Sequence, residues 1–433
     1  MPSLSACLFV FPVAGKEISA FQIVHSTLSN RQDQPIRRGN PYIEGGLAVS
    51  PGSKPERFVF AVEEAVLEDL RRRLAATRLP DEIPGAGWQY GAERSYVKEL
   101  IDYWRRDYDW RAREASLNRL DHYRVRMEDI TLHYIHQPGV GPAPLPLLLT
   151  HGWPGSIFEF TKIIGPLTDP GRYGGDPKDA FTVVAPSLPG YGFSHSPDQR
   201  RLGIEEIADL FARLMSDVLG FQRFAAQGGD WGSFVTARLG FAHSDKTVGI
   251  HLNMVPLAPH PRDRADLSDA EKAFIEESKY FLAEETGYQW IQGTKPQTLA
   301  YGLNDSPAGL AAWITEKFQT WTDCHGDLED RITKDELLTN IMIYWVTGTI
   351  NSSFYLYHRL KHRPWRLGPG ERIEAPTAVA AFPGEILRPP KEWAARMFNL
   401  KRWTAMPQGG HFAALEEPEA LVEDIRAFFR DLR

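Results

Sequence analysis

One heptapeptide constrains this chain more than any other stretch: Gln227-Gly228-Gly229-Asp230-Trp231-Gly232-Ser233. It follows the apolar run Phe224-Ala225-Ala226 and precedes a helix-compatible stretch from Ser233 to Phe241, so it reads as strand, sharp turn, helix. Gly228 and Gly232 flank Asp230 two residues to either side, and glycine lets the chain bend that tightly. Such a turn lifts its central side chain clear of the strand end, as a nucleophile elbow does. A serine there would attack acyl carbon, whereas the Asp230 carboxylate works best by displacement at a strained or activated saturated carbon. An alkylating substrate, such as an epoxide or an alkyl halide, follows from that difference. The plainer reading of the same residues is a glycine-rich turn with a helix-capping aspartate.

The rest of the chain predicts the scaffold such an elbow needs. Alternating residues around Glu128-Asp129 predict an antiparallel hairpin, Tyr123–Met127 against Ile130–Ile135. Leu145–Thr150 and Phe181–Ala185 are continuous apolar runs suited to buried strands, and helical patterns separate the later strands. With the elbow, this alternation predicts an α/β-hydrolase fold: a mostly parallel sheet flanked by helices. At 433 residues and 42% hydrophobic, the chain has material for accessory parts as well. Five regions are expected. Residues 1–55 are a flexible N-terminal arm, 56–121 a helical N-terminal segment wrapping the core, and 122–258 the first part of the core. Residues 259–369, where the strand signal fades, form a helical lid, and 370–433 complete the core. A second N-terminal helix, from about Glu93 to Leu117, is expected to break near Tyr108-Asp109-Trp110.

An elbow nucleophile requires an acid and then a histidine later in the chain. His411 lies in the glycine-rich Gln408-Gly409-Gly410-His411-Phe412, after a short strand, and Glu385 follows the preceding strand in Phe382-Pro383-Gly384-Glu385. Glu416 and Glu417 stand too near His411 to orient it and are assigned to the start of the last helix; Asp305 is read as a turn or helix cap.

With these residues in view, the chain resembles an epoxide hydrolase of the microsomal branch. The resemblance rests on His151-Gly152-Trp153-Pro154-Gly155-Ser156, Gly228-Gly229-Asp230-Trp231-Gly232 and Gly409-Gly410-His411-Phe412-Ala413-Ala414, and on Glu416-Glu417-Pro418. Tyr108-Asp109-Trp110-Arg111 and Ile291-Gln292-Gly293-Thr294-Lys295-Pro296 also fit, so that it covers about residues 56–430. It implies that Asp230 forms an ester with the epoxide and that His411, oriented by Glu385, activates the water that hydrolyses it. It further implies an oxyanion hole at the backbone N–H groups of Trp153 and Trp231, and two lid tyrosines, Tyr288 and Tyr357, that donate to the ring oxygen. Tyr355 rivals Tyr357, His151 is read as organising its loop, and Tyr301 and Tyr344 as packing. Two other readings stay open: a haloalkane dehalogenase, in which Trp231 would hold the halide, and a non-catalytic protein that binds an apolar ligand in the same pocket.

Composition narrows the partners. A net charge of −7 without a long basic run argues against nucleic acid and leaves small molecules, which the resemblance implies are an epoxide and water. No histidine pair at zinc-ligand spacing has supporting ligands beside it, so neither metal nor cofactor is expected. Two cysteines, Cys7 and Cys324, make no disulfide framework. The run Ala6–Ala14 resembles a short signal core but lacks a preceding basic residue, and no apolar run reaches the roughly 18–20 residues of a membrane span. A cytoplasmic protein without a transmembrane anchor is expected, and the helical N-terminal segment and lid could support a homodimer.

Overall fold

The structure is a computed structural model that describes residues 54–433. The arm expected over residues 1–55, with Cys7 and the Ala6–Ala14 run, lies outside the described residues except for its last two positions.

Nine strands form one sheet: β1 (Glu56–Arg57), β2 (His122–Met127), β3 (Ile130–Gln137), β4 (Leu145–Thr150), β5 (Phe181–Pro186), β6 (Phe224–Gly228), β7 (Thr247–Leu252), β8 (Ile373–Ala381) and β9 (Phe398–Ala405). Their order is β1-β2-β3-β5-β4-β6-β7-β8-β9. The β1/β2, β2/β3 and β3/β5 pairs are antiparallel, and every pairing from β5 to β9 is parallel. The hairpin turns at Glu128-Asp129, with Met127 opposite Ile130. Leu147, Leu148 and Leu149 of β4 have no solvent exposure, as a continuous apolar run in a strand covered on both faces requires. The short edge strand β1 was not anticipated; two residues carry no periodicity to read.

Strand β4 lies between β5 and β6, so the chain steps to one side of it for β5 and then crosses back to the other for β6. In open sheets of this kind the crevice at the carboxyl ends of the strands, where the order reverses, receives ligands. The loops after β4, β6, β8 and β9 all open there.

Between β7 and β8 every element is helical, including Asp269–Tyr280, Gly287–Thr294, Pro296–Asp305, Pro307–Trp321, Lys334–Thr347 and Tyr355–His362. These helices form the lid. Asp305 neither turns nor caps: it is the last residue of its helix and accepts from Arg73 Nη1 at 2.7 Å. Ser306 caps the next helix instead, accepting from the Gly309 N–H at 3.0 Å.

The N-terminal segment contributes helices Glu64–Ala75, Arg94–Arg106 and Trp110–Leu117. The expected break falls before Trp110, where Asp109 accepts from the Ala112 N–H at 3.1 Å and restarts the helix. Polar contacts tie this segment to the lid. Tyr103 donates to Asp335 at 3.0 Å, Tyr108 bonds Thr339 at 3.0 Å, and Lys334 pairs with Glu99 at 2.9 Å. Among the described residues no helix is long and apolar enough to cross a membrane.

Candidate active site

The elbow forms as the glycines predict. Asp230 has φ of +46°, a left-handed conformation that a non-glycine residue adopts only when its surroundings hold it there. A Cβ on Gly232 would lie 1.8 Å from the Thr150 carbonyl oxygen, so no other residue allows the helix to start this close to β4. The helix spans Asp230–Ala242 and begins at Asp230 itself, three residues earlier than its apolar pattern suggests.

The Asp230 carboxylate has two distinct sides. Its Oδ1 accepts from the Trp153 backbone N–H at 2.7 Å, and its Oδ2 lies 3.5 Å from His411 Nε2. The other imidazole nitrogen, Nδ1, is 2.7 Å from Glu385 Oε1, which also accepts from the Ile386 N–H at 2.7 Å. Asp230, His411 and Glu385 thus stand in one line. Burial would push the His411 pKa down, but the charge of Glu385 and the contacts with both carboxylates outweigh it and hold the pKa well above its ordinary value. Trp231 is the second residue of its helix, so its backbone N–H is one of the first-turn donors that no intrahelical carbonyl reaches.

The loop carrying His411 is clamped by carboxylates. Glu416 accepts from the N–H groups of Gly410 and Phe412, each at 2.8 Å, and of Asp323 at 2.9 Å, while Asp323 accepts from Gly409 at 2.8 Å. Burial raises the Glu416 pKa to about 7 despite those three donors. Glu416 therefore does not start the last helix: it ends the short helix Ala413–Glu416, and its side chain turns back onto the loop. Glu417 immediately precedes Pro418 of the last helix and pairs with Arg331 at 2.7 Å.

Above Asp230, a cavity of about 50 Å³ is lined by Asp230, Trp231, Phe234, Tyr288, Tyr357 and Leu360, among others. Tyr288 and Tyr357 are both buried, with ring centres 5.6 Å apart. Burial raises the pKa of each phenol well above its ordinary value, so both keep the proton that a donor needs. Tyr288 stacks on Trp153 at 5.3 Å, and Tyr357 meets Trp231 edge-on at 4.7 Å. Tyr355, two positions before Tyr357, lies alongside the His358 ring and does not line the cavity.

His151 bridges two loops: Nε2 accepts from the Leu188 N–H at 3.1 Å, and Nδ1 lies 3.0 Å from the Gly152 carbonyl. Burial lowers its pKa to about 4, which keeps it neutral and suits it to that work. Tyr344 is buried and donates to the Gly155 carbonyl at 2.7 Å, but Tyr301 is 73% exposed and packs against nothing central. An aromatic in a helix does not reveal which face the helix will bury. Sequence reading passed over Glu159, which shares a smaller cavity with Asp230 and His411, and Lys317, whose ammonium lies 4.8 Å from the Tyr288 ring centre.

This geometry can be set beside known proteins. Residues 55–160 match the family described as "Epoxide hydrolase N terminus", and residues 146–273 match "alpha/beta hydrolase fold". The chain is 38% identical to epoxide hydrolase 1 of Oryctolagus cuniculus, over 87% of this chain and 91% of that one. The chain belongs to the epoxide hydrolases. Solved relatives agree: juvenile hormone epoxide hydrolase of Bombyx mori superposes with a TM-score of 0.80 at 31% identity, covering 88% of this chain and 95% of that one. For Aspergillus niger epoxide hydrolase the values are 0.75 and 29%, over 89% and 98%. As an epoxide hydrolase of the α/β-hydrolase fold, the protein acts on an epoxide with water, and the dehalogenase and non-catalytic readings give way.

Proposed function

We propose that this epoxide hydrolase works through an ester on Asp230, with each residue in the role its position suits. The observation that carries the reading is the split around one carboxylate: Asp230 faces Tyr288 and Tyr357 across an apolar cavity and His411 on its other flank.

In the first half-reaction an Asp230 oxygen attacks an epoxide carbon from the face opposite the breaking C–O bond. Tyr288 and Tyr357 hydrogen-bond the ring oxygen, and one phenol supplies its proton. His411, held protonated beside two carboxylates, loses one of them as a charge when Asp230 becomes a neutral ester. Its pKa then falls, it returns the proton to the tyrosinate, and it becomes a free base when a base is needed.

In the second half-reaction His411 takes a proton from water, whose oxygen adds to the Asp230 ester carbonyl. The N–H groups of Trp153 and Trp231 stabilise the oxyanion, an interaction whose loss costs roughly 10²–10³ in rate in comparable sites. Collapse expels the diol oxygen, which takes the remaining carboxyl proton. Asp230 ends as carboxylate, His411 as imidazolium and both tyrosines as phenols, so the cycle closes.

A single-turnover reaction of excess enzyme with styrene oxide in ¹⁸O-labelled water tests this. Unlabelled diol with heavy oxygen in the Asp230 peptide is the expected result. Labelled diol with an unchanged peptide would mean direct attack by water and would end the proposal.

A further inference from the structure

A second cavity, of about 20 Å³, also reaches Asp230 but has neither Tyr288 nor Tyr357 on its wall. One water needs about 10–15 Å³ of such room and two to four polar partners. The titratable groups on its wall are His151, Glu159, Asp230 and His411. His151 is spent on its two loop contacts. Asp230 and His411 are the electrophile and base of ester hydrolysis, which leaves Glu159 without a role.

Glu159 lies in the turn Ile157–Phe160, held by Ser156 accepting from the Phe158 N–H at 3.2 Å. Its carboxyl group is packed tightly against the backbone: a Cβ on Gly155 would fall 1.5 Å from Glu159 Oε1. The lid fixes that backbone, with Asn340 donating to the Pro154 carbonyl and Tyr344 to the Gly155 carbonyl, each at 2.7 Å. The carboxyl group is thus set against a stretch of loop that the lid holds at Pro154 and Gly155.

Building on the ester route proposed above, we infer that this cavity seats the hydrolytic water and that Glu159 is its positioning residue, accepting one water hydrogen while His411 Nε2 accepts the other. The water oxygen adds to Asp230 Cγ, its proton goes to His411, and the C–O bond to the diol carbon's oxygen breaks as the tetrahedral centre collapses. Burial, and after it the charge of Asp230, raise the Glu159 pKa, to about 8.

The test separates the half-reactions. Rapid-quench single turnover with styrene oxide, analysed by intact mass, follows formation and decay of the ester in wild type, E159Q and E159D. In E159Q, ester formation should stay within about threefold of wild type while ester decay slows on the order of 10–100-fold, the scale of a misplaced reactant. E159D, which keeps the carboxyl group one methylene further back, should recover part of that loss. Ester decay at the wild-type rate in E159Q would overturn the inference, as would an equal fall in both half-reactions in both variants. If E159Q does not fold, E159D carries the test with the same two outcomes: selective slowing of decay supports the role, and its absence removes it. No ester in the wild type would instead defeat the Asp230 route itself.

Discussion

The floor and the roof of the active site are built by different means. On the floor, Asp230, Glu385 and His411 each follow the carboxyl end of a strand, and hydrogen bonds fix the loops that hold them. Asp323 and Glu416 together take the N–H groups of Gly409, Gly410 and Phe412 around His411. On the roof, Tyr288 and Tyr357 sit on lid helices and meet the floor through ring contacts with Trp153 and Trp231. Covalent chemistry requires reacting atoms to be placed to within fractions of an ångström, and directional hydrogen bonds supply that. Donors to a ring oxygen must move aside for substrate to enter, and packed rings can slide without breaking a bond.

The sharpest way to break this contrast is to remove the floor's proposed nucleophile. Asp230→Ala should lower diol formation by about 10⁴-fold or more, because residues acting as one unit fail together. Diol release within about tenfold of wild type would mean that the roof alone activates epoxide for water.

Next in size is Glu385→Gln. Ester hydrolysis should slow on the order of 10²–10⁴-fold, the usual weight of a positioned base. The pH profile adds a sign. The charge of Glu385 is the largest influence holding the His411 pKa up, and the base must be neutral to act. Removing that charge lowers the pKa, so the acid limb of the ester-decay profile should move to lower pH. A limb that stays put or moves up would show that another group limits the step.

These floor residues were legible in the sequence because each carries its own punctuation: a strand-like run, then glycine, then the functional residue. The order of Asp230, Glu385 and His411 along the chain then assigned them. Roof and support residues lack such signals. Tyr357 and Tyr355 could not be separated until the helix phase was known, and Tyr301 was given to packing though it faces solvent. Glu416 looked like the acidic start of a helix, since only the folded loop turns its carboxylate back to Gly410. Glu159 lies just past a readable motif, on a turn whose facing depends on where Gly155 leaves space.

The roof should answer more weakly and in one half-reaction. Tyr288→Phe or Tyr357→Phe keeps the ring and its stacking but removes the donor, so ester formation should slow about 10²-fold while ester decay is unchanged. The double variant should nearly stop ring opening. If both single variants open the ring at the wild-type rate, the phenols are packing and the roof plays no chemical part.

The smallest effect probes the helix that belongs to neither side. Lys334–Thr347 reaches the floor through Asn340 and Tyr344, and reaches the N-terminal segment where Tyr108 meets Thr339 at 3.0 Å. Tyr108→Phe deletes that bond but leaves Thr339 donating to the Asp335 carbonyl at 2.6 Å, so no buried donor is stranded. The loss should therefore be near 1 kcal/mol, read as a lower urea midpoint at unchanged slope. Since this helix supports the loop of Trp153 and Glu159 and is also part of the lid, both half-reactions should fall slightly and together. A fall confined to ester formation would place the helix with the roof; a fall confined to ester decay would place it with the floor. In either case the N-terminal segment would act on one step of catalysis, and its contacts with the lid would be more than packing.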